Sequence, residues 1–270
     1  MDTTAFASRF GPWALITGAS EGTGAAFARE LAGRGLKLIL VARREEPLRA
    51  LADEISAKGG ECVTAAIDLA RPGAGERVAA AAAEREVGLF IANAGADTVG
   101  ANFLHAEAGD WEELVNLNIM TTMRCCHAFA GAMAKRGRGG IVLVGSGACY
   151  GGLPGIAAYC GSKAFVLAFA EGLWAELRPH GVDVLNLVLS RTDTPAHRRS
   201  LELSGQPIPE GMARPEDVAA LGLARLPHGP ICNWGEDDDQ AGMSATSAAD
   251  RRARIVGIEA MMRSYVKAEA

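Results

Sequence analysis

The amino-acid sequence predicts a doubly wound α/β fold, in which helices cover both faces of one parallel seven-stranded sheet. First, 49% of the 270 residues are hydrophobic and 33 are glycine, a composition that suits a large aliphatic core. Second, short apolar runs alternate with longer alanine-rich helical patterns. Third, the runs are apolar throughout, which is typical of strands buried on both faces. Right-handed crossovers then give a three-layer α/β/α sandwich, expected to be a single domain over 1–270.

The predicted elements follow one another in strand–helix order. Strands are expected at 13–17, 37–41, 62–68, 89–93, 141–146, 182–189 and 231–234. Helices are expected at about 24–35, 45–58, 74–85, 111–135, 160–178 and 215–225. The last of these begins at Pro215, since proline suits the first turn of a helix.

Two segments break the alternation. Residues 191–214 are polar and contain proline, which indicates an irregular lid inserted before the helix at Pro215. Residues 235–270 form a C-terminal extension, with an acidic loop at 235–246 and a helix at about 247–267 that carries an apolar stripe.

Charge and cysteine usage narrow the class of protein. A net charge of −5 does not support a basic face for nucleic acid, and no apolar run reaches the length of about 18 residues that spans a membrane. The six cysteines show no C-x-x-C motif and no zinc spacing, so we expect no metal site and unpaired thiols. With no signal peptide apparent, the expected location is the cytoplasm. The cysteines stand at positions 62, 125, 126, 149, 160 and 232.

A glycine-rich loop joins the first predicted strand to the first predicted helix. Its glycines permit a tight turn and a close approach of the backbone to a ligand. The helix start behind it offers free N–H groups and a positive dipole to a pyrophosphate. We therefore predict a dinucleotide site here, with a purely structural turn as the alternative. The loop reads Thr17, Gly18, Ala19, Ser20, Glu21, Gly22, Thr23, Gly24.

The end of the second predicted strand distinguishes between the two nicotinamide cofactors. In dinucleotide folds a carboxylate here binds the 2′-hydroxyl of NAD, whereas arginine accommodates the 2′-phosphate of NADP. Arg43 and Arg44 precede the first carboxylate, Glu45, and so favour NADP(H). A solvated basic helix start is the alternative. The ends of the third and fourth strands also fit a nucleotide, at Asp68 and Leu69 and at Asn93, Ala94 and Gly95.

Two further residues indicate proton transfer. Tyr159 and Lys163 are four residues apart at the head of a predicted helix, so they share one face. A free tyrosine has a pKa near 10, too high for a base at neutral pH. A nearby lysine ammonium, together with the cationic oxidised nicotinamide, would lower the pKa of Tyr159 and favour tyrosinate.

With Ser146 thirteen residues before Tyr159 and Asn118 in the helix before that, the chain resembles the short-chain dehydrogenase/reductase family in its single-domain, Rossmann-type form. The resemblance covers about 12–190. It implies that Tyr159 exchanges a proton with the substrate oxygen and that Ser146 holds that oxygen. It also implies that Lys163 binds the nicotinamide ribose and that Asn118 positions a water that relays protons to Lys163.

The chain departs from this family after the sixth predicted strand. The family carries Pro-Gly there, followed by a threonine that contacts the cofactor, whereas this chain has Leu189, Ser190 and Arg191. Thr192 is the expected cofactor contact, with Thr194 close enough in sequence to leave the alignment open by one or two residues. Arg191 is expected either to bind an anionic group or to face solvent.

The R-R-E-E sequence after the second strand and the missing Pro-Gly resemble the bacterial NADP-dependent hydroxysteroid dehydrogenases, notably the 7β type. This resemblance implies an NADP(H)-dependent reaction between a secondary alcohol and a ketone on a bulky, apolar, steroid-like substrate. Reduction of a 3-oxoacyl thioester is the enzymatic alternative. A noncatalytic NADP-binding sensor is the alternative of another class.

The helix expected at 160–178 is apolar around more than one face, where a monomer would carry a polar outer face. Ala168, Ala170 and Gly172 would allow a second helix to approach closely. The family resemblance places a dimer interface on this helix. We therefore expect a homodimer and leave a tetramer open.

Overall fold

The strands form one parallel sheet. The computed structural model describes residues 2–203 and 205–235, and in that part of the chain the sheet has seven strands in the order β3-β2-β1-β4-β5-β6-β7. Every neighbouring pair runs parallel, which confirms the predicted sheet. The strands are β1 Trp13–Thr17, β2 Lys37–Ala42, β3 Cys62–Ala66, β4 Val87–Ala92, β5 Gly139–Ser146, β6 Val182–Leu189 and β7 Ile231–Asn233.

Helices cover both faces of the sheet and enclose two apolar cores. Buried residues of α1, α2, α3 and α9 pack on one face, and those of α4, α6 and α7 pack on the other, as in the predicted three-layer sandwich. In the described part of the chain none of the helices is long and apolar enough to cross a bilayer. The helices are α1 Thr3–Phe10, α2 Gly22–Gly33, α3 Glu45–Ala57, α4 Ala74–Ala82, α5 Ala108–Val115, α6 Thr121–Arg136, α7 Ala157–Leu177, α8 Pro195–Leu203 and α9 Pro215–Arg225.

Three elements differ from the prediction. Helix α1 was not expected, because eight residues with two phenylalanines give a weak periodic signal, yet Phe6 and Phe10 are buried in the core. The lid segment is not irregular throughout, since its Pro195 begins a helix, α8, instead of breaking one. The helix expected at 111–135 consists of α5 and α6 joined by a π-helical turn over Asn116–Met120. The expected helix at 247–267 lies outside the described residues.

The topology decides where the functional side chains meet. Because all strands are parallel, their carboxyl ends lie at one edge of the sheet, and the chain crosses from one side of β1 to the other between β3 and β4. Ligands of open α/β sheets bind in the crevice that this reversal leaves beyond the strand ends. The glycine-rich loop after β1, the end of β4 and Ser146 at the end of β5 all lie at this edge.

Candidate active site

The loop between β1 and α2 is built from three glycines with different constraints. Gly18 and Gly22 have φ angles of 68° and 56°, a region that residues with a Cβ rarely adopt. At Gly24 a Cβ would lie 2.1 Å from the carbonyl oxygen of Gly18. The amide of Asn93 donates hydrogen bonds to the carbonyl oxygens of Thr17 and Gly18, at 3.2 and 3.1 Å. The loop is therefore held against the end of β4, with the N-terminus of α2 open beside it.

The polar residues of this loop lie at different depths. Thr23 is 6% exposed, whereas the side chains of Ser20 and Glu21 are partly exposed. Glu21 is the N-cap residue of α2 but makes no capping hydrogen bond to that helix. Its carboxylate instead forms an ion pair with Arg44, at 2.6 Å, and a second one with Arg199.

The two arginines after β2 therefore have different environments. Arg44 is bound to Glu21 across the crevice. Arg43 is exposed and forms no ion pair with any residue of 2–203 or 205–235. Both lie next to the phosphate loop, since β2 is the direct neighbour of β1.

The remaining predicted nucleotide contacts lie at the ends of β3 and β4. Asp68 accepts a hydrogen bond from the backbone N–H of Ala70 at 3.1 Å and is partly exposed. Leu69 points into the core at 5% exposure, and its carbonyl oxygen accepts the hydroxyl of Thr121 at 2.8 Å. The backbone N–H of Ala94 donates to the Thr17 hydroxyl at 3.3 Å. These hydrogen bonds hold the chain segments after β3 and β4 in place at the edge of the sheet.

Asn118 lies in the π-helical turn between α5 and α6. Such turns often occur at functional sites, because they displace one residue from the regular helix surface. The Asn118 side chain is 2% exposed, and its amide nitrogen donates to the carbonyl oxygens of Ala96 and Leu114, at 2.9 and 3.0 Å. Its amide oxygen is buried and has no hydrogen-bond partner in the described part of the chain. This leaves one strong acceptor free at the crevice floor.

Lys163 is brought from α7 to the same place. Its side chain is 4% exposed, and Nζ donates to the carbonyl oxygen of Val144 at 3.0 Å. Burial lowers the pKa of Lys163 from 10.5 to about 8. A Cβ added at Gly95 would lie 2.7 Å from the Asn118 amide oxygen and 3.0 Å from Lys163 Nζ. The bare glycine therefore lets both polar groups pack close to the backbone.

Tyr159 and Ser146 form the other half of the site. Ser146 accepts a hydrogen bond from the backbone N–H of Ala148 at 3.2 Å. Burial raises the pKa of Tyr159, and a hydrogen bond with Ser146 opposes part of that increase. Lys163 Nζ lies 5.7 Å from the centre of the Tyr159 ring. The expected lowering of the Tyr159 pKa is thus not produced by the protein's own groups, since removal from water outweighs them.

The segment after β6 gives the two candidate threonines different environments. Thr192 is buried, bridges to Ala213 and donates its hydroxyl to the carbonyl oxygen of Ser190 at 3.3 Å, within its own segment. Thr194 lies against the phosphate loop instead, since a Cβ at Gly22 would be 2.9 Å from its methyl carbon. The lid therefore contacts the glycine-rich loop through Thr194, and the cofactor contact of Thr192 stays a prediction.

Two side chains at the site were missed by the sequence argument. Arg199 hydrogen-bonds to Glu21, which lies 178 residues earlier in the sequence, and a local sequence pattern does not predict such a distant pair. Asp97, in the loop after β4, further raises the pKa of Tyr159 through its negative charge. The sequence does place Asp97 two residues after the Asn93-Ala94-Gly95 motif, which is the one signal that could have pointed to it.

The arrangement at this edge matches a known family. A family model described as short chain dehydrogenase matches residues 12–203, which include the glycine-rich loop, all four predicted catalytic residues and α8. The chain belongs to the short-chain dehydrogenase family. Members of this family are oxidoreductases that act on CH–OH and keto groups.

Two curated proteins show what this short-chain dehydrogenase is similar to. It is 36% identical over 203 residues to the very-long-chain 3-oxoacyl-CoA reductase of Podospora anserina. The aligned region covers 72% of this chain and 60% of that relative. It is 32% identical over 222 residues to the 7beta-hydroxysteroid dehydrogenase of Clostridium sardiniense, covering 82% and 84%. This short-chain dehydrogenase thus spans about three fifths of the first relative's length.

Among solved structures, a short-chain dehydrogenase from Sphingobium yanoikuyae in complex with NADPH superposes with a TM-score of 0.75 at 28% identity. The match covers 96% of this chain and 98% of that one. In the described part of this short-chain dehydrogenase no group of three or more His, Cys, Asp or Glu side chains is arranged to hold a metal ion.

Proposed function

We propose that the protein is an NADP(H)-dependent oxidoreductase that interconverts a secondary alcohol and a ketone on a bulky, apolar substrate. The observation that carries the proposal is the convergence of Ser146, Tyr159 and Lys163 beside the glycine-rich loop. The serine and tyrosine share a hydrogen bond, and the buried lysine lies behind the tyrosine ring.

The residues present fit a phosphorylated dinucleotide. The absence of a Cβ at Gly24 lets α2 begin directly against the Gly18 carbonyl, and α2 presents a helix start at the loop. The exposed Arg43 and its neighbour Arg44 suit a 2′-phosphate, and the similar Sphingobium protein was solved with NADPH. When bound, NADPH supplies the hydride for the carbonyl carbon. Thr194 at the loop and Asp68, two residues after β3, would make further contacts with the dinucleotide.

The protein's own groups manage the proton. With its raised pKa, Tyr159 holds its proton at neutral pH and can donate it to a carbonyl oxygen, leaving a phenolate that the reverse reaction protonates. The Ser146 hydroxyl would hold the same oxygen. Lys163, with a pKa of about 8, is mostly protonated at pH 7 and can donate to a ribose hydroxyl. The amide oxygen of Asn118, which has no hydrogen-bond partner among the described residues, would accept a hydrogen bond from a proton-relaying water beside Lys163.

The apolar substrate class has two supports. The similarity to the Clostridium 7beta-hydroxysteroid dehydrogenase extends over 84% of that protein. In this chain, large apolar side chains are exposed after Ser146 and on the lid segment, at Tyr150, Leu203 and Ile208. A contiguous apolar patch commonly marks a ligand site, and we propose that these three side chains line one together.

Reduction of a 3-oxoacyl thioester is the second candidate. The Podospora relative, a very-long-chain 3-oxoacyl-CoA reductase, is 36% identical over the aligned region. The exposed Arg191 at the start of the lid would suit the phosphates of such a substrate. The two candidates share their catalytic residues and differ in the pocket.

Absorbance of reduced nicotinamide tests the proposal. NADPH and NADH are each offered with ketosteroids, smaller apolar ketones and a 3-oxoacyl thioester. We expect NADPH-dependent turnover of an apolar ketone, and the double variant Arg43→Ala/Arg44→Ala should raise KM for NADPH far more than for NADH. Turnover of the thioester alone would select the second candidate. NADPH binding without turnover of any class would favour the noncatalytic sensor.

We also propose that the protein is a cytoplasmic homodimer. Its six cysteines, all among the described residues, form no disulfide bonds, as is common in reducing compartments. On α7, Ala164, Phe165, Ala168 and Gly172 are exposed and give the helix an apolar outer face. Small residues of this kind let a second helix approach closely.

A further inference from the structure

Glu21 lies at a position where a negative charge disfavours binding of an anionic ligand. It is the N-cap residue of α2, and the N-terminus of a helix is the part of the fold that attracts a phosphate. A carboxylate there is favourable to the helix itself but repels a bound anion. It would also compete with a 2′-phosphate for Arg44, to which it is bound at 2.6 Å.

Glu21 also forms an ion pair with Arg199, which offsets its negative charge. Arg199 donates to both carboxylate oxygens, to one of them at 3.2 Å. The Glu21 side chain is left 24% exposed, while the two arginine side chains remain about half exposed, at 46% for Arg44 and 50% for Arg199. Burial raises the pKa of Glu21, but its hydrogen bonds with Arg199 and Arg44 outweigh this and lower it. Glu21 is therefore an anion held between two cations from different segments.

The position of α8 makes this contact part of the cofactor crevice. Thr194, just before the helix, lies against Gly22 of the loop. Arg199 follows on the same helix and approaches Glu21 from the lid side. Arg44, as the N-cap residue of α3, approaches Glu21 from the end of β2.

We infer that Arg199 is a positioning residue for NADP(H) selectivity: it keeps Glu21 paired, so that Arg44 can leave Glu21 and bind the 2′-phosphate. This inference rests on the proposed use of NADP(H). Without Arg199, a shift of Arg44 to the phosphate would leave a partly buried carboxylate unpaired beside another anion, which is unfavourable. Arg43, Arg44 and Arg199 together with the carboxylate of Glu21 carry an excess of two positive charges, which suits a phosphate dianion.

Calorimetric titration with NADP⁺ and with NAD⁺ tests the inference without turnover. Arg199→Ala should weaken NADP⁺ binding about fivefold, the equivalent of about 1 kcal/mol, and change NAD⁺ binding by less than about twofold. Glu21→Gln removes the competing charge, so the double variant Glu21→Gln/Arg199→Ala should bind NADP⁺ within about twofold of Glu21→Gln alone.

Arg198→Ala is the matched control, because Arg198 lies on the same helix but pairs with Asp193. It should leave the ratio of NADP⁺ to NAD⁺ affinity unchanged. Equal weakening of both cofactors by Arg199→Ala, or no rescue in the double variant, would show that Arg199 only anchors the lid and would overturn the inference. A wild-type protein that binds NAD⁺ more tightly than NADP⁺ would instead overturn the proposed cofactor, and the inference with it.

Discussion

Burial of Lys163 in the candidate active site should lower the stability of the fold at neutral pH. Burial lowers its pKa from 10.5 to about 8. Between these pH values an unfolded chain keeps the lysine proton while the folded chain has released it. Because the unfolded state binds more protons there, the contribution of Lys163 to the free energy of unfolding rises as pH rises from about 8 to 10.5.

The size of this contribution follows from the pKa difference. Each pKa unit corresponds to about 1.4 kcal/mol, so the charged lysine destabilises the fold at neutral pH by about 3 kcal/mol. Lys163→Met keeps the length of the side chain and removes the charge. It also loses the hydrogen bond to Val144, which contributes about 1 kcal/mol. The variant should therefore be about 2 kcal/mol more stable than the wild type at pH 7, and this advantage should disappear by about pH 10.

Urea unfolding followed by tryptophan fluorescence, at pH 7 and at intervals up to 10, measures this difference. The quantity compared is the difference in free energy of unfolding between the wild type and Lys163→Met. Burial also raises the pKa of thiols such as Cys125 and Cys126, but this affects both proteins equally and cancels in the difference. The exposed Lys135 provides the control, and Lys135→Met should show no such dependence on pH. A Lys163→Met variant that is less stable at pH 7, with a difference that stays constant as pH rises, would refute the reasoning.

Three further changes test other parts of the structure. Tyr159→Phe should lower kcat at least about a thousandfold while calorimetry shows unchanged cofactor affinity, and turnover above a tenth of the wild type would place the proton donor elsewhere. Gly24→Ala should weaken cofactor binding at least about tenfold, because the new Cβ would lie 2.1 Å from the Gly18 carbonyl oxygen. The matched control Gly131→Ala has open space around its Cβ and should bind normally. Ala168→Glu, on the exposed face of α7, should shift sedimentation from dimer to monomer, and an unchanged dimer would move the interface elsewhere.

Local patterns predicted the sheet and much of the candidate site. The strand Trp13–Thr17 has the bounds expected for it, because an unbroken apolar run ends directly at a glycine. Tyr159 and Lys163 were expected to share a helix face, and α7 carries both. The boundaries of 62–68 were less accurate, since β3 ends at Ala66 where its pairing with β2 stops. Apolar composition alone does not report where a neighbouring strand ends.

The lid was harder to predict because its structure depends on contacts with the rest of the chain. Its polar composition suggested an irregular segment, yet residues 195–203 form α8, which packs at the phosphate loop through Thr194. The choice between Thr192 and Thr194 was open in the sequence. In the structure Thr192 is buried and bridges to Ala213, whereas Thr194 lies at the glycine-rich loop, and which of them contacts the cofactor stays a prediction.

The sequence by itself determined the order of strands and helices, the glycine-rich loop and the spacing of the tyrosine and lysine. Each of these depends on residues that are neighbours along the chain, where steric limits and helix periodicity act directly. Only the tertiary structure decided that Glu21 lies between Arg44 and Arg199 and that burial changes the pKa of Lys163. Ion pairing and loss of solvent depend on which distant segments pack together, and a linear pattern does not specify that.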